Sequence, residues 1–228
     1  MSLKAAKNVL VISVHPDDEA LGCAGTVLKH ADEGANVFWA IITNVKAEYQ
    51  YGAETVTRRN AEISDVAKKL SCKELLNLEL KPASLEPKDI PTISQKLGAF
   101  VKDKNIDTIY CVNRSDAHSD HRITFEAAVT LIKSFRYPSV KRFLSYECLS
   151  ETEFGPPLAE KVFLPILHVN ITEQWERKIE IVNIYKSELG IHPFPRSIKN
   201  IEALATIRGA FSGHQYSEAF HVMKDTWD

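Results

Sequence analysis

Short apolar runs rich in β-branched residues alternate with amphipathic stretches through the first two thirds of the chain. Such runs predict strands that are buried on both faces of a sheet, and the amphipathic stretches predict helices. Strands are expected at 8–14, 36–43, 74–80, 107–112 and 141–147, and helices at 20–33, 57–70, 90–104 and 121–134. This repetition predicts an α/β fold with a doubly wound, Rossmann-like and mostly parallel sheet.

The alternation weakens after residue 151, where prolines interrupt the sequence. The pattern there predicts a short strand near 162–169, a helix at 173–188, a proline-rich loop at 190–200, a helix at 201–211 and a short strand at 219–223. No internal repeat or separable linker interrupts the 228 residues. We therefore expect residues 1–228 to form a single domain.

Composition and charge narrow the class of protein. The net charge is −2 and no polybasic run occurs, which argues against binding to nucleic acid. The longest apolar runs, such as 9–14 and 37–42, are too short to span a bilayer. Residues 1–7 lack the apolar core of a signal peptide, and the four cysteines form no C-x-x-C pair, which is typical of reduced thiols. We expect a cytoplasmic protein without a membrane span.

One imidazole and three carboxylates occur within five residues directly after the first predicted strand, in His15-Pro16-Asp17-Asp18-Glu19. Helix capping would explain one or two of these carboxylates. It does not explain a histidine with three acids at the end of a buried strand, where desolvation is costly. Because His15 and Asp18 are three residues apart across a strand-to-helix turn, both can point into one crevice. The segment therefore predicts a metal site.

A second polar segment, His118-Ser119-Asp120-His121, follows the fourth predicted strand and opens a helix. The alternative is a polar loop with Asp120 as a helix cap. Ligands of doubly wound sheets bind at the carboxyl ends of strands, where the strand order reverses, so both segments are expected to meet there. Two histidines and one carboxylate make an open site typical of catalytic zinc, although the same ligands suit Fe²⁺.

With these two segments the chain resembles the LmbE-like, or PIG-L, family of zinc-dependent N-acetyl-sugar deacetylases. The family signature (A/P)HPDDE stands here as VHPDDE at residues 14–19, followed by the glycine-rich residues 22–26, and its H-x-D-H signature is present as residues 118–121. Three further segments are similar to family motifs: residues 59–62 to an R-x-x-E helix, residues 178–188 to a later helix, and residues 217–220 to an A-E-x-F segment. The resemblance thus covers nearly the whole chain.

The resemblance implies a role for each matched residue. His15, Asp18 and His121 would hold the metal, and Asp17 would be the general base. His118 would assist the oxyanion or protonate the leaving amine, and Asp120 would orient a catalytic partner. Arg59 would contact substrate, with a solvated cation beside Arg58 and Glu62 as the alternative. Tyr185 is a candidate substrate contact from the later helix, with a packing role as the alternative.

Three positions depart from the family pattern. Tyr185 stands where many members have histidine, Glu188 where many have glutamine, and Ser119 where proline is usual. None of these changes removes an implied metal ligand or the implied base. The first two changes bear on which sugar the chain would accept, so the sugar is left open.

The implied activity is removal of the acetyl group from an N-acetylamino sugar of the N-acetylglucosamine type, free or carrier-linked, through a metal-activated water. A metal-dependent hydratase acting on a small carboxylated substrate is the main alternative. Such a substrate calls for several cations near the metal, and the sequence offers only Arg59 and Arg114. A non-catalytic metal or sugar-binding protein would be expected to lack the base, yet Asp17 is present. The expected partner is a small amino sugar, and a homo-oligomer is left open.

Overall fold

A seven-stranded sheet forms the centre of the protein in the computed structural model, which describes residues 6–226. Its spatial order is β3-β2-β1-β4-β5-β7-β6. The strands are β1 (Asn8–Ser13), β2 (Asn36–Thr43), β3 (Cys72–Leu80), β4 (Thr108–Val112), β5 (Arg142–Tyr146), β6 (Leu167–Asn170) and β7 (Ser217–Asp225). The first five strands pair in parallel, and β7 pairs antiparallel with both β5 and β6. The predicted doubly wound, mostly parallel sheet is confirmed.

Helices connect the strands. They are α1 (Asp18–Gly22), α2 (Ala24–Asp32), α3 (Ala53–Lys69), α4 (Ile90–Asp103), α5 (Ser119–Ala128), α6 (Trp175–Val182) and α7 (Ile198–Ser212). The apolar side chains of β1, β2 and β4 are almost all buried, as expected for strands that helices cover on both faces. Within the described residues, no helix combines the length and the apolar character that a membrane crossing requires.

The order in which strands are added to the sheet reverses between β1 and β4, although the two strands are parallel. From β1 the chain moves outward to β2 and β3, and it then returns to add β4 and β5 on the opposite side of β1. The carboxyl ends of β1 and β4 therefore lie side by side with a crevice between their loops. Each of the two polar segments follows one of these strands, so the topology brings them together as expected.

Two predicted helices are interrupted. The single helix expected at 20–33 is two helices that separate at Cys23, whose φ is −147° and ψ is 8°. The backbone N–H groups of Gly25 and Thr26 donate to the carboxylate of Glu218, so α2 begins against a side chain from the last strand. The helix expected at 173–188 is α-helical only over α6. It tightens into 3₁₀ turns at residues 183–188, where Tyr185 leaves helical geometry.

Other predicted boundaries also shift. The strand expected at 162–169 pairs only over β6. Among the described backbone hydrogen bonds, the Ile166 N–H alone from residues 162–166 donates to the sheet, at the carbonyl oxygen of Phe220. The last strand is longer than expected and runs over all of β7. The helix expected at 201–211 begins at Ile198, because the Ser197 hydroxyl accepts the backbone N–H of Asn200 as an N-cap.

Candidate metal centre and active site

The turn after β1 is shaped by one of its own carboxylates. Oδ2 of Asp18 accepts the backbone N–H groups of Val14 and His15, both at 2.9 Å. These hydrogen bonds fold the chain back on itself, and α1 begins at Asp18. His15 Nδ1 consequently lies 3.9 Å from Asp18 Oδ2, with both groups on the crevice side of the turn.

His121 approaches the same carboxylate from the first turn of α5. Its Nε2 is 3.4 Å from Asp18 Oδ1, and its Nδ1 is 2.8 Å from Asp116 Oδ2. Because a carboxylate accepts hydrogen bonds, Nδ1 carries a proton and Nε2 presents its lone pair in the neutral ring. The ring is fully buried, yet Nε2 has no hydrogen-bond partner within the described part of the chain. A buried polar atom of this kind requires a partner.

The electrostatics around His121 also favour a cation. Burial lowers the pKa of this imidazole, but the carboxylates of Asp18 and Asp116 raise it well above its ordinary value. Burial likewise opposes the charged form of Asp18, and yet His121 and His15 together with backbone donors lower the pKa of this carboxyl below its ordinary range. The cluster therefore stabilises positive charge beside Asp18, which a divalent metal ion would supply.

Two overlapping groups of side chains could hold a metal ion. One ligand atom from each of His15, Asp18 and His121 lies within 4.8 Å of the others, and the same holds for His15, His118 and Asp120. In the second group the Asp120 oxygens already accept the backbone N–H groups of Ala83 and Leu85. In the first group His121 Nε2 has no hydrogen-bond partner in residues 6–226, so the first group fits a metal ion better.

Asp17 lies beside this group and borders the cavity. Burial is the largest cause that raises the pKa of Asp17 to about 6, and the neighbouring Asp18 carboxylate raises it further. In the part of the chain that the structure describes, the Asp17 side chain makes no capping hydrogen bond to α1. A carboxylate with a pKa near 6 is ionised at neutral pH and still basic enough to accept a proton from water.

His118 and Asp120 surround His15 from the side of α5. The His118 ring is 4.6 Å from the ring of His15, and its Nδ1 accepts the backbone N–H of Asp120. Since Nδ1 accepts, Nε2 of the neutral His118 ring carries the proton and can donate it. Burial lowers the pKa of His118, which favours this neutral form. Asp120 Oδ2 lies 3.4 Å from His15 Nε2, where it can orient that ring.

Arg59 reaches the same turn from α3. It is buried, donates to the backbone oxygen of Pro16 at 2.7 Å and forms an ion pair with Glu188. The alternative of a solvated cation is therefore wrong. Tyr185 lies behind this pair, with its ring 5.5 Å from the Arg59 guanidinium, and its buried hydroxyl donates to Glu19. Its position favours a packing role over direct contact with substrate.

The cavity over these groups has a volume of about 360 Å³, which suits a small ligand. Asp116, Cys148 and Arg196 lie at or behind this site, and they were assigned no role from the sequence. Asp116 lies behind His121, and its only sequence signal is its position five residues before that histidine. Cys148 borders the cavity with its thiol 3.5 Å from Asp18 Oδ1. Arg196, from the proline-rich loop, pairs with Glu188, and nothing in the local sequence distinguishes it.

A doubly wound sheet with two histidines and an aspartate gathered at its switch point defines an α/β protein with a candidate catalytic metal centre. Residues 10–132 match the family model described as PIG-L, GlcNAc-PI de-N-acetylase. This match covers more than half of the chain, and the chain therefore belongs to the PIG-L family. The resemblance seen in the two polar segments is confirmed.

Curated relatives match over most of their length. The chain is 27% identical over 214 residues to a probable N-acetyl-α-D-glucosaminyl L-malate deacetylase 2 of Bacillus cereus, covering 89% of this chain and 93% of the relative. It is 25% identical to the diacetylchitobiose deacetylase of Thermococcus kodakarensis, covering 95% of this chain and 83% of the relative.

Solved structures confirm the fold. The N,N'-diacetylchitobiose deacetylase of Pyrococcus horikoshii superposes with a TM-score of 0.77 at 21% identity, covering 97% of this chain and 85% of the other. The 4-carboxy-2-hydroxymuconate hydratase GalB of Pseudomonas putida superposes with a TM-score of 0.69 at 14% identity, covering 97% of this chain and 98% of the other. Both similarities show a shared architecture.

Proposed function

We propose that this protein is a metal-dependent deacetylase that hydrolyses the acetamide of an N-acetylamino sugar of the N-acetylglucosamine type. Membership of the PIG-L family and the deacetylase relatives support this activity. The observation that carries the metal requirement is the buried Nε2 of His121, which faces Asp18 and has no hydrogen-bond partner among the described residues. In this proposal the whole chain is one catalytic domain, and a cytoplasmic location stays a prediction.

His15, Asp18 and His121 are the residues that would hold the ion. Two imidazoles and one carboxylate match the donor set of catalytic zinc sites, while Fe²⁺ suits the same donors. When bound, a divalent ion at this place polarises the amide carbonyl and makes a neighbouring water more acidic. Asp120 beside His15 and Asp116 beside His121 orient the two imidazoles.

Side chains of the cavity wall transfer the protons and stabilise the charge that develops during the reaction. Asp17 accepts a proton from the water that attacks the amide carbonyl carbon. His118, through Nε2–H, stabilises the negative charge that develops on the carbonyl oxygen. The carbon–nitrogen bond then breaks, and the nitrogen receives a proton from Asp17 or His118. The products are acetate and the free amino sugar.

Arg59 is proposed to contact the substrate at the rim of this site. Its guanidinium is held between the Pro16 carbonyl and Glu188, so it is oriented before a sugar enters. A direct substrate contact by Tyr185 stays a prediction. The buried hydrogen bond of Tyr185 to Glu19 supports the alternative, in which the tyrosine ring packs against Arg59.

The substitution Asp17→Asn tests the proposal. It removes the base but leaves all three proposed ligands, so we expect metal content to stay at the wild-type level while acetate release falls by about 10²-fold or more. The assay uses metal-reconstituted protein with N-acetylglucosamine, diacetylchitobiose and carrier-linked N-acetyl sugars. Asp65→Asn, the same chemical change at an exposed site on α3, serves as the control.

Near-normal acetate release by Asp17→Asn would show that another group is the base. If wild-type protein releases no acetate from any of these sugars but adds water to an unsaturated dicarboxylate, the hydratase alternative replaces the deacetylase.

A further inference from the structure

Helix α7 exposes an apolar face to solvent. Its inner side packs on the sheet through Ile201 and Ala205. The exposed positions between residues 203 and 211 carry no charge, and the side chains of Ile207 and Phe211 are 63% and 79% exposed. The partly buried Arg208 beside them is paired with Glu147. A helix with apolar residues on both sides is normally buried on both sides.

The extended segment that leads into β6 repeats this feature. Val162, Leu164 and Ile166 are exposed, whereas the residues between them are half-buried. Alternating side chains of an extended segment point to opposite sides, so these three share one side. An exposed row of valine, leucine and isoleucine is the reverse of the pattern expected for a strand that faces water.

The helix and the segment meet to form one surface. The ring of His168 on β6 stacks on the ring of Phe211 at 4.7 Å. Alternation places Ile166 on the same side as His168, next to α7. We call this set the α7 apolar surface and define it by five residues: Val162, Leu164, Ile166, Ile207 and Phe211.

We propose that the α7 apolar surface is the contact through which two copies of this chain associate about a twofold axis. A twofold contact places the same patch against itself, so it must be self-complementary. The five residues are uncharged and therefore meet their symmetry mates without like-charge repulsion. An anionic membrane or a nucleic acid would instead call for cations within the patch.

The size of the surface also fits a second copy. Its one aromatic side chain, Phe211, can bury on the order of 150–250 Å², and the four aliphatic side chains, which are 48–66% exposed, add to this area. A stable interface buries about 800 Å² per partner, and its polar rim supplies the remainder. In addition, β6 is the edge strand of the sheet, so one side of its backbone is open to pairing with another strand. The five residues lie outside the border of the catalytic cavity.

Sedimentation velocity over a wide range of concentration tests this proposal. We expect wild-type protein to sediment with at least twice the mass of one chain, and Phe211→Glu to sediment as a monomer with an unchanged circular dichroism spectrum. Phe135→Glu is the matched control, because Phe135 is 81% exposed and follows α5, outside the surface. It should keep the wild-type mass.

A second variant controls for the possibility that Phe211→Glu disrupts the folding of α7. Ile166→Lys changes an extended segment outside any helix and is also expected to be monomeric. Wild-type protein that stays monomeric at every concentration would overturn the proposal, as would variants that keep the wild-type mass. Flotation of monomeric wild-type protein with lipid vesicles would assign the surface to a membrane instead. None of these readouts depends on catalytic activity.

Discussion

The proton on the buried His121 ring is held on Nδ1 by a single carboxylate. Asp116 Oδ2 accepts the hydrogen bond from Nδ1–H at 2.8 Å, and Asp116 Oδ1 accepts hydrogen bonds from Asn113 at 3.1 Å and Thr152 at 2.7 Å. The carboxylate is therefore fixed by three partners and cannot turn away from the ring. A histidine oriented in this way presents Nε2 to a metal in only one direction.

Asp116→Asn is predicted to weaken metal binding. The amide can still occupy the space, but it loses the negative charge that stabilises the Nδ1–H tautomer of His121. We expect the affinity for zinc to fall about 10–100-fold, measured by competition with a chromophoric chelator. Asp103→Asn, at an exposed position of α4, should bind zinc like the wild-type protein. Wild-type affinity in Asp116→Asn would remove Asp116 from the metal centre.

How far individual site residues could be predicted depends on where their partners lie. His15, Asp18 and His121 are recognisable because each belongs to a dense polar segment at the end of a buried strand. Asp116 and Arg196 were assigned no role, because each is also held in place by a residue of another loop. Asp116 contacts Thr152, and Arg196 contacts Ser150. A single sequence does not indicate which loops fold onto one another.

At the level of elements, the position of the first polar segment depends on the close packing of the short helix α1. Helix α1 begins at Asp18 and ends at Gly22, and a Cβ atom on Gly22 would lie 2.8 Å from Cε2 of Tyr146 and 2.9 Å from the carbonyl oxygen of Glu147. Tyr146 is fully buried, and its hydroxyl donates to Ile12 on β1, so the ring cannot withdraw. Glycine at position 22 thus allows α1 to lie against β5.

Gly22→Ala is predicted to lower the free energy of unfolding by about 1–3 kcal/mol, because the added methyl group overlaps a fixed ring. The measurement is denaturant unfolding followed by circular dichroism. Gly52→Ala is the matched control, since a Cβ atom at the start of α3 would meet nothing within 4 Å. Equal stability of the two variants would show that α1 can move away from Tyr146.

The interruption between α1 and α2 illustrates why element boundaries are harder to predict than elements. The apolar pattern over 20–33 is helical throughout and gives no sign of a break at Cys23. The break is stabilised by Glu218, which caps α2 and pairs with the buried Lys178. Both partners lie more than 150 residues after Cys23, so only the folded chain brings them to the break.

At the level of the whole molecule, the strand order follows from the alternation of strands and helices in the sequence. Parallel strands need helical crossovers, and right-handed crossovers leave few arrangements for β1 to β5. The antiparallel addition of β7 and β6 was not predictable in the same way, because the segments after residue 151 are short and interrupted by prolines. This region nevertheless supplies Glu188 and Arg196 to the cavity.

The central claim is that one divalent ion binds between His15, Asp18 and His121 at the switch point of the sheet. The most direct measurement is anomalous diffraction from crystals of the zinc-loaded protein, recorded above and below the zinc absorption edge. We expect one anomalous peak within bonding distance of these three side chains. A peak between His15, His118 and Asp120, the other group that could hold an ion, or no peak at either group, would contradict it.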